Sequence, residues 1–196
     1  VLAIATIGDA VLTKELEAKI HKQVIQPTIK AMADAGTPFI GFLYAGLMIN
    51  ANGEPKVLEF NCRLGDPETQ PLLMRLQSDL VGLCLAATEG ALDKVVVDWD
   101  PRTALTVVLA SGGYPQDYRK GDVISGLNGQ SDSDRKLFHA GTRLEDGQII
   151  TNGGRVLGAT ALGDDVKAAQ QRAYELAKSV DWPDVFYRTD IGNKAL

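Results

Sequence analysis

The 196-residue chain has few cysteines, few aromatic residues and no block of basic charge. Its two cysteines, Cys62 and Cys84, form neither a CxxC pair nor a zinc-finger spacing, which argues against a disulfide framework or a finger. Since the formal net charge is −5, we expect no nucleic-acid partner. No apolar run reaches the about 18 residues that span a bilayer, so we also expect no membrane segment.

The remaining composition is that of an ordinary globular protein. The chain has 45% hydrophobic and 23% charged residues, and its 196 residues are enough for one large domain or two small ones with a hydrophobic core. Two reduced thiols are typical of the cytosol, and Val1–Ala10 is apolar but short and lacks a basic leader. We therefore predict a cytoplasmic protein.

The first half of the chain predicts a helix followed by a β-hairpin. Thr13 caps a helix that runs to about Ala35, with Pro27 expected to kink or break it. The apolar stretch 39–49 indicates a buried strand, and Asn52-Gly53 is a strong hairpin turn signal. Residues 56–61 then form the returning strand.

The second half predicts a helix, a boundary and a strand-rich region. Residues 69–89 keep a helical apolar period, with Pro71 in the first turn and Gly90 at the end. Residues 98–102 are typical of a domain boundary. The sequence beyond them predicts five strands and one helix, over 104–111, 122–124, 136–139, 148–151, 155–161 and 164–180.

The most informative stretch is Val57–Gln70, with the sequence VLEFNCRLGDPETQ. Alternate residues of a strand point to the same face, so Glu59 and Asn61 would stand side by side, about 6–7 Å apart at their backbones. Two oxygen ligands suit Mg²⁺, which usually keeps several waters and takes only one or two protein ligands plus phosphates. From spacing alone, an exposed strand face with cross-strand hydrogen bonds remains an alternative.

The stretch LEFNCRLGDPETQ, with GFLYAGLMI upstream and ASGGYP, FHAGT and TNGGRVLGATALG downstream, resembles the phosphoribosylamine–glycine ligase (glycinamide ribonucleotide synthetase) family. The resemblance runs from about Val11 to the C-terminus. It implies an ATP-grasp enzyme of purine biosynthesis that joins glycine to 5-phosphoribosylamine through glycyl phosphate. The products would be glycinamide ribonucleotide, ADP and phosphate.

The resemblance also implies roles for named residues. Glu59 and Asn61 would hold Mg²⁺ or Mn²⁺ and, through it, ATP. Arg63 would place positive charge beside the transferred phosphate, and Asp66 would face the amino substrate, with Glu68 a weaker candidate for the same wall. A surface ion pair between Arg63 and Asp66 is the plain alternative, worth about 0–1 kcal/mol. His139 is favoured as a structural residue.

Three departures from the family pattern matter. The family is much longer, so its N-terminal substrate domain and ATP lid would lie upstream of Val1. Val1–Ala10 differs from the segment expected there. Many ATP-grasp enzymes carry an acid twelve residues before the first carboxylate, where this chain has Leu47. Leu47 and Ile49 are instead predicted to form an apolar wall beside the nucleotide.

The fold class that follows is α/β of the α+β type. We predict an ATP-grasp C-terminal lobe over residues 1–100, with an antiparallel sheet, and a small strand-rich domain over 101–196. The protein would act on small molecules as a monomer or weak homodimer. A non-catalytic fragment and another ATP-grasp carboxylate–amine ligase remain alternative readings.

Overall fold

The computed structural model describes residues 12–128 and 131–196. Val1–Ala10, whose departure from the family pattern was noted above, lies outside them. Within the described residues all paired strands are antiparallel, and helices pack with them, so the predicted α+β class is confirmed. The helices are α1 (Lys14–Ile20), α2 (Gln26–Asp34), α3 (Thr69–Arg75), α4 (Leu80–Thr88) and α5 (Val166–Ala177). The strands are β1 (Tyr44–Ile49), β2 (Pro55–Asn61), β3 (Thr103–Ala110), β4 (Arg135–His139), β5 (Thr142–Glu145), β6 (Gln148–Thr151) and β7 (Arg155–Gly163).

The chain divides into two compact units. Of the described residues, one unit holds those up to Asp66 together with Ser78–Asp98, and the other holds Pro67–Gln77 together with those from Trp99 to Leu196. The predicted domains, 1–100 and 101–196, remain a proposal. The compact units differ from them chiefly in residues 67–77, which pack with the second unit.

In the first unit, the helix predicted before the hairpin forms without the expected break. Thr13 caps it, accepting a hydrogen bond from the Leu16 amide at 3.2 Å. A π-helical turn, His21–Ile25, joins α1 to α2 directly before Pro27. Because proline has no N–H, it cannot serve the carbonyl four residues earlier. The wider turn accommodates this loss: of the predicted kink or break, no break forms, and the helix changes locally at the π-helical turn before Pro27.

The same unit has a small core under the hairpin. Ile20, Val24 and Ile25 are buried and pack against one face of β1. At the far end of the hairpin, Lys19 donates to the Gly53 carbonyl at 3.0 Å and to Glu54 at 2.7 Å. The hydrogen bond and charge of Lys19 lower the pKa of the Glu54 carboxyl. These contacts hold the hairpin against α1.

The prediction of a single helix over residues 69–89 was wrong, because two helices, α3 and α4, form there. Leu76 leaves α3 with extended backbone and pairs with Trp99 as an isolated antiparallel bridge. Asp79 then starts α4 by accepting from the Val81 and Gly82 amides. The apolar period continues across the break, which is why periodicity alone did not show it.

The second unit is a three-stranded sheet in the order β3-β7-β4, covered on both faces. A side chain at Gly163 would meet the backbone of Ala169 in α5, whereas one at Gly158 would touch Gln70 in α3. Positions 158 and 163 of β7 point to opposite faces, so the two helices enclose the sheet. Its core includes Val107, Leu109 and Leu157, each 1% exposed or less.

Two strand predictions in this unit needed correction. Residues 122–124 form only an isolated bridge, between Val123 and Ile150. Thr142–Glu145 was not predicted but pairs with β6 as a hairpin. Its turn, Asp146-Gly147, has positive φ at both residues, as a tight two-residue hairpin turn requires. No helix within the described ranges combines the length and apolarity needed to cross a membrane.

Candidate active site

The predicted hairpin forms, and its turn is stabilised by asparagine. The Asn50 side chain accepts hydrogen bonds from the Asn52 and Glu54 amides, at 3.0 and 2.9 Å. Gly53 has a φ of +70°, a conformation that favours glycine. The turn therefore returns β2 along β1, and it is β2 that carries the predicted metal pair.

Glu59 and Asn61 occupy one face of the hairpin. They pair with Gly46 and Tyr44, respectively, and the register is regular between them. A β-bulge lies next to the pair, where the register shifts between Gly46 and Leu47. The structure therefore places the carboxylate and the amide on the same side of the sheet, next to an irregularity of the kind often found at functional sites.

Gly46 provides the space in which the Glu59 side chain lies. A Cβ placed on Gly46 would be 2.9 Å from Glu59 Cγ and 3.6 Å from its Oε1. Any larger residue at position 46 would therefore displace the carboxylate. Sequence reasoning missed Gly46, because the register across a bulged hairpin cannot be counted from the turn alone.

Leu47 and Ile49 lie on the other face. Together with Ala45 they pack against the cluster of Ile20, Val24 and Ile25. By strand alternation, this is the face opposite Gly46 and Glu59. In the structure these side chains contribute to the core beneath the hairpin. Any contact they make with a nucleotide remains a prediction.

Arg63 and Asp66 follow β2 in an exposed loop. The Arg63 guanidinium donates to the Leu64 carbonyl at 2.9 Å, which curls the side chain back over its own loop. The loop ends at Glu68, the residue before α3, whose side chain makes no capping hydrogen bond. The loop thus presents a cation two residues after Asn61 and an acid five residues after it.

The ligand set fits a sparsely coordinated hard cation. Within residues 12–128 and 131–196, no group of three or more His, Cys, Asp and Glu side chains could hold a metal by itself. A carboxylate and an amide oxygen on one face suit Mg²⁺ or Mn²⁺, since such ions complete their shell with water and phosphate oxygens. Because Gly46 has no side chain, the Glu59 carboxylate has room beside it, which is compatible with Glu59 acting as a metal ligand.

Comparison with protein families agrees with these features. Residues 3–69 match the family model described as "Phosphoribosylglycinamide synthetase, ATP-grasp (A) domain". Residues 104–194 match "Phosphoribosylglycinamide synthetase, C domain". This chain belongs to the phosphoribosylglycinamide synthetase family. The resemblance drawn from LEFNCRLGDPETQ and its companion motifs is confirmed.

Curated members of the phosphoribosylglycinamide synthetase family are similar over almost the whole chain. The phosphoribosylamine–glycine ligase of Vibrio parahaemolyticus is 59% identical over 186 residues, which are 95% of this chain and 43% of that protein. The ligase of Pseudomonas aeruginosa is 57% identical with the same coverage. The chain thus spans less than half the length of these relatives.

Solved structures give the same assignment of the fold. Phosphoribosylamine–glycine ligase from Thermotoga maritima superposes with a TM-score of 0.78 at 34% identity, covering 91% of this chain and 44% of that one. The biotin carboxylase domain of a thermophilic 2-oxoglutarate carboxylase superposes with a TM-score of 0.64 at 12% identity, covering 95% and 43%. At that identity the likeness shows the fold alone. The predicted fold, the C-terminal portion of an ATP-grasp protein, is confirmed.

Proposed function

We propose that this chain supplies the metal site and substrate loop of an ATP-dependent ligase that joins glycine to 5-phosphoribosylamine. The activity would belong to a polypeptide of its relatives' full length. Family membership and the relatives' names support the reaction. The observation that carries the proposal is the placement of Glu59 and Asn61 on one face, above Gly46.

The proposed reaction has two steps. A carboxylate oxygen of glycine attacks the γ-phosphorus of ATP, the bond to the β-phosphate oxygen breaks, and glycyl phosphate and ADP result. The amine of 5-phosphoribosylamine then attacks the acyl carbon, phosphate leaves, and the nitrogen loses a proton. No covalent bond to the protein forms.

Each candidate residue has a defined part in this scheme. Glu59 and Asn61 would hold Mg²⁺, or alternatively Mn²⁺, which when bound neutralises charge on the phosphate oxygens. Arg63 would direct its guanidinium at the acyl phosphate, where negative charge accumulates. Asp66 would orient the attacking amine, and Glu68 would line the same wall. We further propose that the protein works in the cytoplasm as a monomer or weak homodimer.

The test is substitution of Glu59 in the full-length protein. Glu59→Gln keeps the shape but removes the charge, and we expect turnover to fall about 100-fold or more, because the metal loses its anionic ligand. Glu54→Gln, an exposed carboxylate in the same hairpin, is the matched control and should retain activity. ADP release with glycine and phosphoribosylamine measures both. Undiminished turnover of Glu59→Gln would exclude the proposed metal site.

Another ATP-grasp ligase is the second candidate, since the fold is shared with a carboxylase domain. Screening acids by ADP release separates the two. Activity with glycine supports the first candidate. Activity with bicarbonate or a larger amino acid, and none with glycine, supports the second.

A further inference from the structure

A small polar cluster lies in the interior of the second unit. Thr106 of β3 and Thr160 of β7 are direct partners in the sheet register, and their hydroxyl oxygens lie 2.8 Å apart. Both residues are buried. Since one hydroxyl donates to the other, the second hydroxyl keeps a hydrogen that can bond elsewhere. The pair therefore offers a spare hydrogen-bond donor inside the protein.

Gln70 of α3 lies over the same face of the sheet. Helix α3 packs on β3 and β7. A Cβ built on Gly158 would lie 3.8 Å from Gln70 Cγ and Nε2, and 3.4 Å from Thr106 Cγ2. Gly158 and Thr160 are two residues apart on β7, so they point to the same face. Gln70 and the threonine pair are thus neighbours across Gly158.

The Gln70 side chain brings a buried acceptor to this place. Its Oε1 is shielded from solvent, and within residues 12–128 and 131–196 it has no hydrogen-bond partner. A buried amide oxygen without a donor is destabilising, and most buried side-chain oxygens in proteins bond to a protein group or an ordered water. One water can join the two groups here, by accepting from the spare hydroxyl and donating to Oε1.

The glycine at position 158 leaves room for such a water. The contacts of a Cβ built there, at 3.4, 3.8 and 3.8 Å, are ordinary van der Waals distances, so the hollow above Gly158 accommodates a group of methyl size. A water molecule is no larger than a methyl group, and two polar partners are enough to retain it in a protein interior.

The position of Gln70 in α3 connects this cluster to the loop before the helix. The far end of α3 is fixed by Arg75, whose Nε donates to the Asp100 carbonyl at 3.1 Å and whose carbonyl accepts from the Asp100 amide at 2.7 Å. At the near end, Glu68 makes no side-chain capping hydrogen bond. Gln70, in the first turn, is where this end meets the sheet. The direction in which Asp66 and Glu68 approach α3 therefore depends on Gln70.

We propose that one buried water joins Gln70 Oε1 to the Thr106–Thr160 hydroxyl pair, and that Gln70, held in this way, is a positioning residue for Asp66 and Glu68. The water site follows from the second unit alone. The positioning role rests on the proposed function, because it concerns the loop assigned to the amino substrate. Gln70 touches no reacting atom in this scheme and acts through the loop.

Thermal unfolding of the 196-residue chain tests the water site. Gln70→Met keeps the length of the side chain and removes the acceptor, so we expect the midpoint of the second unit to fall by about 2–4 °C. Gln70→Glu keeps an acceptor oxygen and should stay closer to wild type. Gln77→Met, at an exposed position just beyond α3, is the matched control and should leave the midpoint unchanged. A midpoint of Gln70→Met at or above that of wild type would overturn the proposal, because removing an unpaired buried oxygen has that effect.

Gly158→Ala tests whether the hollow is occupied. Its methyl group would displace the water, so we expect a lower midpoint, although alanine in place of a strand glycine is otherwise stabilising. Beside Gln70→Met the same substitution should cost nothing further, since the bridge is already lost. A midpoint raised by Gly158→Ala would contradict the water site, as would a loss that persists in full beside Gln70→Met, which would indicate crowding. Should Gln70→Met not fold, Gln70→Ala takes its place in both comparisons.

The second arm uses the full-length protein and tests the positioning role. We expect Gln70→Met to lower kcat about tenfold, because Asp66 and Glu68 are displaced, and to leave the KM for ATP near wild type. Gln70→Glu should restore most of the kcat. An unchanged kcat of Gln70→Met in an active ligase overturns the positioning role, even where the midpoint falls. Absence of ligase activity from the wild-type protein contradicts the ligase function, and the thermal midpoints then still decide the water site.

Discussion

The two compact units use apolar residues in different ways. In the second, helices cover both faces of a sheet whose central side chains, such as Leu157, are 1% exposed. In the first, the hairpin packs one face on a small cluster, and Leu58 of β2 remains 65% exposed. A run of strand-forming apolar residues therefore indicates a strand in both units, but it indicates a sealed core only where a second layer is present.

A matched pair of truncations should show the largest difference between the units. Leu157→Ala should lower the free energy of unfolding by about 2–5 kcal/mol, because it leaves a cavity in a closely packed sheet. Leu58→Ala removes the same atoms from an exposed position and should stay within about 0.5 kcal/mol of wild type. Urea denaturation of both variants measures the contrast. Comparable losses would mean that the hairpin face is covered in solution.

The N-caps of two helices allow a second comparison of the units, with an expected effect of intermediate size. Asp165 accepts from the Ala168 amide at 2.7 Å at the start of α5, and Asp79 caps α4 in the same way. Replacing either by alanine should cost about 1 kcal/mol locally. Since α5 is part of the larger core, we expect Asp165→Ala to destabilise the whole second unit. Hydrogen exchange should show this as lower amide protection throughout that unit. Asp79→Ala should increase exchange in α4 and leave α5 protected; the reverse pattern would contradict the division into units.

The smallest expected effect is a pH dependence confined to the second unit. The Arg102 guanidinium, bonded to Asp100 at 2.7 Å, holds the pKa of that 7%-exposed carboxyl below its ordinary 3.8. A lowered folded-state pKa stabilises the protein above the unfolded value, and this stability is lost as the pH falls through the folded pKa.

Asp100→Asn tests this dependence by removing the titrating group. Its deficit relative to wild type should be full at neutral pH and shrink as the pH falls from about 4 towards 2. Urea melts across that range measure the gap. A gap that does not change with pH would show that Asp100 stabilises the unit through packing and not through charge.

Local chemistry made much of the fold predictable. The Thr13 cap, the Asn52-Gly53 turn and four strands of the second half, β3, β4, β6 and β7, follow from residues that act within a few positions of themselves. The end of α3 at Leu76 does not, because it depends on pairing with Trp99, which lies far along the chain. The β5 strand was missed since its four residues show only weak alternation.

The same distinction between local and long-range information applies to the candidate site. The sequence placed Glu59 and Asn61 on one strand, and period-two alternation put them on one face. It could not give the bulge next to the pair of Gly46 and Glu59, nor the packing of Leu47 and Ile49 against the cluster of Ile20, Val24 and Ile25. The meeting of Gln70, Thr106 and Thr160 needed the sheet order, which no single segment encodes.

The central claim is that the Glu59 face of the hairpin binds the metal–nucleotide complex. Paramagnetic broadening tests it directly: Mn²⁺ and ADP are added to the 196-residue chain, and the side-chain amide signals of Asn61 and Asn52 are compared. We predict that Asn61 broadens strongly, that Asn52 in the hairpin turn does not, and that Glu59→Gln removes the effect. Equal broadening of the two amides, or Asn61 broadening that persists in Glu59→Gln, would contradict the account.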